Sequence, residues 1–158
     1  FYHKQYEYAI LILKKFLEEP DGWIENKLNS CLVLSCCYQA MGENAAAFDI
    51  LFYSFTMDVP RAEICCEIGR LFMEKREYVT AAYWYQQAFL APRKKKNGGF
   101  YIADSHDFIP AIQMCVCLDK AGRHREAFEF HKKARVLKPL HQAVIGNEKY
   151  FRDVWGME

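Results

Sequence analysis

The chain has 158 residues, of which 52% are apolar, so one domain with a sizeable core is within reach. Aromatic residues make up 16%, which argues against a disordered chain. With 21 basic and 20 acidic residues the net charge is +1, and a chain so balanced has no overall field to draw in nucleic acid or an anionic membrane.

Residues 1–19 read as an amphipathic helix, with Tyr6, Ile10, Leu13 and Leu17 at helical spacing. The longest apolar run, Ala9 to Leu13, meets Lys14 and Lys15 at once, far short of the roughly 20 residues a membrane helix needs. No signal-peptide pattern opens the chain, which begins at Phe1 already in helical register, so it is expected to be a piece of a longer protein. Pro20-Asp21-Gly22 ends this first helix.

A repeat then sets in. In residues 28–61, Tyr38, Gly42, Ala47, Leu51 and Ser54 mark a helix, a turn and a second helix. A shift of 34 gives Phe72, Arg76, Ala81, Tyr85 and Ala88 in residues 62–95, with Gly69 and Tyr78 as further matches. A shift of 46, which is 34 plus an insertion of 12, gives Leu118, Gly122, Ala127, His131 and Ala134 in residues 108–141, closed by Pro139. Ala47, Ala81 and Ala127 are small where two helices cross, and Ser54, Ala88 and Ala134 lie seven residues on, along the same face. Tyr38, Phe72 and Leu118 are large and fill space between helices. Gly42 and Gly122 stand in the turn, where a positive φ suits glycine, and Arg76 in their place predicts a different turn or a modest strain. Residues 142–153 read as one more helix, a candidate to cover the last apolar face.

Residues 93–107, RKKKNGGFYIADSHD, break the period. Arg93, Lys94, Lys95 and Lys96 form the only basic run. It is either a solvated helix end, where cations suit the negative dipole terminus, or a contact for phosphate or an acidic partner. Asn97-Gly98-Gly99 is a turn. Phe100-Tyr101-Ile102 either folds back over the hairpin or lines a binding surface, and Ser105 or Asp107 is placed to cap the next helix.

The chemistry-bearing residues form no catalytic pattern. Cysteines stand at 31, 36, 37, 65, 66, 115 and 117, an odd count with no CxxC, which reads as reduced and mostly buried thiols of a cytoplasmic protein. The histidines are His3, His106, His124, His131 and His141. His124 and His131 lie two turns apart on one helix face, not at the i, i+4 spacing of a metal pair, and no metal or cofactor is expected. No phosphate-binding glycine loop and no DxD pair occurs.

The 34-residue period with these residue types resembles the tetratricopeptide repeat family. The resemblance implies an all-α fold, a right-handed α-solenoid of antiparallel helix hairpins. It would have three full repeats (28–61, 62–95 and 108–141) between a partial-repeat helix and a terminal helix, in a single domain over residues 1–158. In that family the first helix of each unit lines a concave groove. By register the lining is Asn29, Cys36 and Gln39, then Glu63, Glu67, Arg70 and Glu74, then Gln113, Asp119 and Lys120, with Lys94, Lys95, Phe100 and Tyr101 of the insertion beside it. The second set also reads as a solvated face of i, i+3 and i, i+4 ion pairs. The lining is mixed in charge and acidic in the middle, unlike the Lys/Asn/Arg clamp with which some relatives grip a peptide carboxylate, so no such recognition is expected.

Longer stretches carry a closer resemblance. EEPDGWIENKLNSCL at 18–32, RAEICCEIGRLFMEKREYVTAAYWYQQA at 61–88, FIPAIQMCVCLDKAGRHREAFEFHKKA at 108–134, GGF at 98–100 and VIGNEKYF at 144–151 look like the C-terminal repeat region of bacterial family 2 glycosyltransferases. This implies a catalytic nucleotide-sugar domain before Phe1 and no catalytic residue in this chain. The repeats would hold the acceptor, dock on the catalytic domain or build a homodimer. The alternative is a free-standing adaptor that binds a peptide or protein.

Overall fold

The computed structural model describes residues 2–93 and 101–158. Among these residues are eight α-helices, two short 3-10 turns and no strand. They fall into two compact units, one of residues up to Pro60 together with Tyr101, and one of Arg61–Arg93 and Ile102–Glu158.

The first unit holds α1 (Tyr2–Glu18), α2 (Ile24–Ala40), α3 (Asn44–Tyr53) and a 3-10 turn (Ser54–Thr56). α1 stops where the sequence predicts, and the Lys27 ammonium of α2 caps its end by donating to the carbonyls of Leu17 (3.3 Å) and Glu19. Leu34 and Leu51 are fully buried between α2 and α3, each contributing about 1.5–3 kcal/mol of hydrophobic stabilisation.

The second unit holds α4 (Ala62–Glu74), α5 (Tyr78–Leu90), a 3-10 turn (Ala103–His106), α6 (Phe108–Lys120), α7 (His124–Leu137) and α8 (Gln142–Trp155). α4 pairs with α5, α5 with α6, and α6 with α7. A core of Cys65, Ala81, Tyr85, Met114, Leu118, Phe128 and Phe151 runs through these helices.

The period of the sequence reappears as geometry. Ala47, Ala81 and Ala127 have no exposed surface, and Ser54, Ala88 and Ala134 are equally hidden. Gly69 shows why small residues stand at such crossings: a Cβ there would meet the Tyr85 ring at 3.0 Å. The three turns share one hydrogen-bond pattern. Glu43 N donates to Tyr38 O (2.8 Å), Glu77 N to Phe72 O (2.9 Å) and Arg123 N to Leu118 O (2.8 Å), the six-to-one bond that closes a helix over a left-handed residue. That residue is Gly42 (φ 79°), Arg76 (φ 60°) and Gly122 (φ 80°). Arg76 therefore adopts the same turn as its glycine counterparts, and the departure in sequence is met by strain and not by a new geometry.

α8 carries a feature the repeat search passed over. Gly156 stands 34 residues after Gly122 and has φ 61°. α8 is thus in register with the first helices α2, α4 and α6. In those helices the corresponding positions are Ser35 and Tyr38, Gly69 and Phe72, Cys115 and Leu118, of which Gly69 lies against Tyr85 of its hairpin partner. In α8 the same positions hold Lys149 and Arg152, both exposed. Charged side chains there give no apolar seat for a second helix, which suits a covering helix.

Candidate functional site

The first helices carry the expected partner-binding residues. On α2, Cys36 is exposed, Asn29 is half-buried, and Gln39 Nε2 donates to Ser35 Oγ at 3.1 Å. On α4, Arg70 stands between two carboxylates. Its Nε and Nη2 reach the Glu67 oxygens at 2.9 and 2.6 Å, and its Nη1 donates to Glu74. The i, i+3 and i, i+4 spacing puts all three side chains on one face, where such pairs are worth about 0.2–0.5 kcal/mol each. On α6, Gln113 and Asp119 are half-buried and Lys120 is exposed.

Glu63 and Asp119 are also engaged by other elements of the protein. Glu63 is buried, and its carboxylate accepts from the Ile102 backbone N–H at 2.8 Å, with the buried His106 Nε2 at 4.0 Å. Beside it the Cys66 thiol donates to the Ser105 carbonyl at 3.4 Å. The described end of the insertion therefore lies against α4 and covers Glu63. Lys138 grips Asp104 from the far side, and Arg93 meets Asp107 at 3.5 Å. Asp107, not Ser105, caps α6, accepting from Phe108 N at 2.7 Å. Burial is the first cause that holds His106 below the ordinary histidine range, and the Glu63 charge opposes it. Lys94, Lys95 and Phe100 lie outside the described residues, and Tyr101 is 39% exposed.

Asp119 is the second. One oxygen lies 2.7 Å from His124 Nδ1, and the other accepts from Tyr150 OH at 2.9 Å. Trp155 Nε1 donates to the same Tyr150 oxygen at 3.2 Å, and the Trp155 ring stacks on His124 with centroids 3.8 Å apart. This network ties α8 to α6 and α7. Tyr150 has no signal in the sequence reading and His124 enters it only as half of a histidine pair off metal spacing, although the placement of Gly156 signals that α8 packs as a first helix.

The seven cysteines are all thiols, and all but Cys36 are buried. Burial pushes Cys31 up to about 11 and Cys65, Cys115 and Cys117 up to about 12. Thiols held so far above neutrality are poor nucleophiles and behave as small apolar side chains. Among the described residues no group of three or more His, Cys, Asp or Glu side chains is placed to hold a metal ion. No described helix is long and apolar enough to cross a membrane.

No protein-family model matches the chain, and no curated protein is significantly similar to it. Solved structures are. A crystal structure of MamA superposes with a TM-score of 0.66 at 22% identity, covering 94% of this chain and 81% of that one. MamA AMB-1 superposes with a TM-score of 0.67 at 18% identity, covering 97% and 75%. MamA MSR-1 gives 0.65 at 19% identity, covering 97% and 79%. At this identity the likeness shows the fold: an all-α arrangement of tetratricopeptide-type helix hairpins.

Proposed function

We propose that this chain is a non-catalytic interaction module whose first helices receive a peptide or protein partner. One observation carries the reading: α4 and α6 each keep a row of polar side chains, Glu67, Arg70 and Glu74 on one and Gln113 and Lys120 on the other, at the positions by which tetratricopeptide hairpins bind. The pairing of Arg70 with both glutamates leaves this face mixed in charge, which suits a partner read by matched hydrogen bonds more than by net charge.

The test is charge reversal on the face. Partners captured by the full chain are identified and their direct binding is measured, then repeated with Arg70→Glu and Lys120→Glu and with Val136→Glu on α7 as a control. Loss of binding in the first two with retention in the third supports the reading. Equal binding by all three overturns it.

The finer reading makes the module the acceptor-handling or docking part of a family 2 glycosyltransferase. It rests on the stretches at 18–32, 61–88 and 108–134. A free-standing cytoplasmic adaptor fits the fold equally well. The coding sequence upstream of Phe1 separates the two. A nucleotide-sugar domain carrying DxD favours the enzyme, and further repeats or an early start favour the adaptor.

A further inference from the structure

α8 is held to the second unit by little apolar surface: Val144 and Phe151 are its only buried residues. Phe151 packs beside His131 and Phe128 of α7, with ring centroids 5.7 and 5.3 Å away. Phe128 and His131 are themselves stacked at 5.8 Å. His131 has no exposed surface, and neither its Nδ1 nor its Nε2 has a hydrogen-bond partner. A buried ring with both nitrogens unsatisfied is rare and is costly to charge. The positions in register with it are Leu51 and Tyr85, so the fold does not need a histidine there.

We propose that α8 is a proton-sensitive cover: in mild acid the charging of His131 loosens α8 from α6 and α7 and bares the aromatic layer of Phe128 and Phe151. The neighbouring groups offset the charge only in part. Glu148 of α8 attracts a protonated ring, but it is paired with Arg135 of α7 at 2.9 Å, whose own charge repels it. Lys132 of α7 lies 5.4 Å over the Phe128 ring and is paired with Glu129 at 2.6 Å. From α6 the Cys115 thiol, held neutral by burial, receives a bond from Asn147 of α8 at 3.6 Å. Desolvation is the first cause holding His131 below the ordinary histidine range. At the other end of α8 lie the contacts of Asp119 with His124 and Tyr150. They involve partly exposed groups that water screens, so they restrain α8 less than a buried charge repels it. α7 is seated through Ala127 and Ala134, which have no exposed surface, so α8 is the element that yields. The proposal does not depend on which partner the first helices take.

The experiment is amide hydrogen exchange on the full chain at pH 7.5 and 5.5, corrected for chemical exchange rates and compared with His131→Leu. In the native chain, protection of α8 should fall by up to about tenfold between roughly pH 6.5 and 5.5, while α4 to α7 keep theirs. His131→Leu should hold α8 protection constant. Unchanged α8 protection in the native chain, or the same loss in His131→Leu, overturns the proposal. Should the variant not fold, the native His131 ring proton is followed by NMR. Titration in step with the α8 amides supports the proposal, and titration that leaves those amides unmoved refutes it.

Discussion

Arg76→Gly should stabilise the protein. Arg76 holds φ 60° in a turn whose counterparts are Gly42 and Gly122. A non-glycine residue in the left-handed region is disfavoured by roughly 1–2 kcal/mol. Glycine returns about 0.4–1 kcal/mol of that through the greater freedom of the unfolded chain. The net gain is about 0.5–1 kcal/mol, a Tm rise of about 1–4 °C at this chain length. The Arg76 side chain is exposed, so its removal opens no cavity. The reciprocal change is Gly122→Ala, at φ 80°. A Cβ there meets nothing within 4 Å, so its cost is backbone strain alone, about 1 kcal/mol in the opposite direction. Urea unfolding of both variants with an unchanged m-value measures the two effects. If Arg76→Gly is neutral or destabilising while Gly122→Ala costs nothing, left-handed strain is not the controlling term at this turn and the reasoning fails.

Ala127→Leu places three extra carbons where α6 and α7 cross with no exposed surface, and should cost about 1–3 kcal/mol by denaturant melt. Glu63→Ala strips the Ile102 N–H of its buried acceptor; a loss of about 1–3 kcal/mol is expected, with faster amide exchange at 102–107 than elsewhere in the second unit. Asp119→Ala removes the acceptor shared by His124 and Tyr150, and α8 amides should lose protection while α4 and α5 amides do not. His106 sits below the ordinary histidine value in the folded chain, so the unfolded chain binds its proton first. The stability tied to its neutral form is present above pH ~6.5 and falls as pH drops from there toward the folded value. His106→Gln should flatten that part of the stability–pH curve measured by thermal melts.

The spacing of Ala47, Ala81 and Ala127, with Gly42 and Gly122 five residues before each alanine they precede, determined the hairpins and their turns. These features are local: a period of 34 encodes which residues meet inside one hairpin, because the helix geometry fixes them. The row of candidate partner-binding residues followed from the same register. Its condition did not. Glu63 and Ile102 are 39 residues apart, and Asp119 and Tyr150 are 31 apart, so no periodicity joins them. Only the folded chain brings the insertion onto α4 and hides one predicted residue, or lays α8 across α6 and occupies another. The isolation of His131 is of the same kind. The sequence puts a histidine where Leu51 and Tyr85 stand, and whether its nitrogens find partners depends on side chains from another helix, which tertiary packing alone supplies.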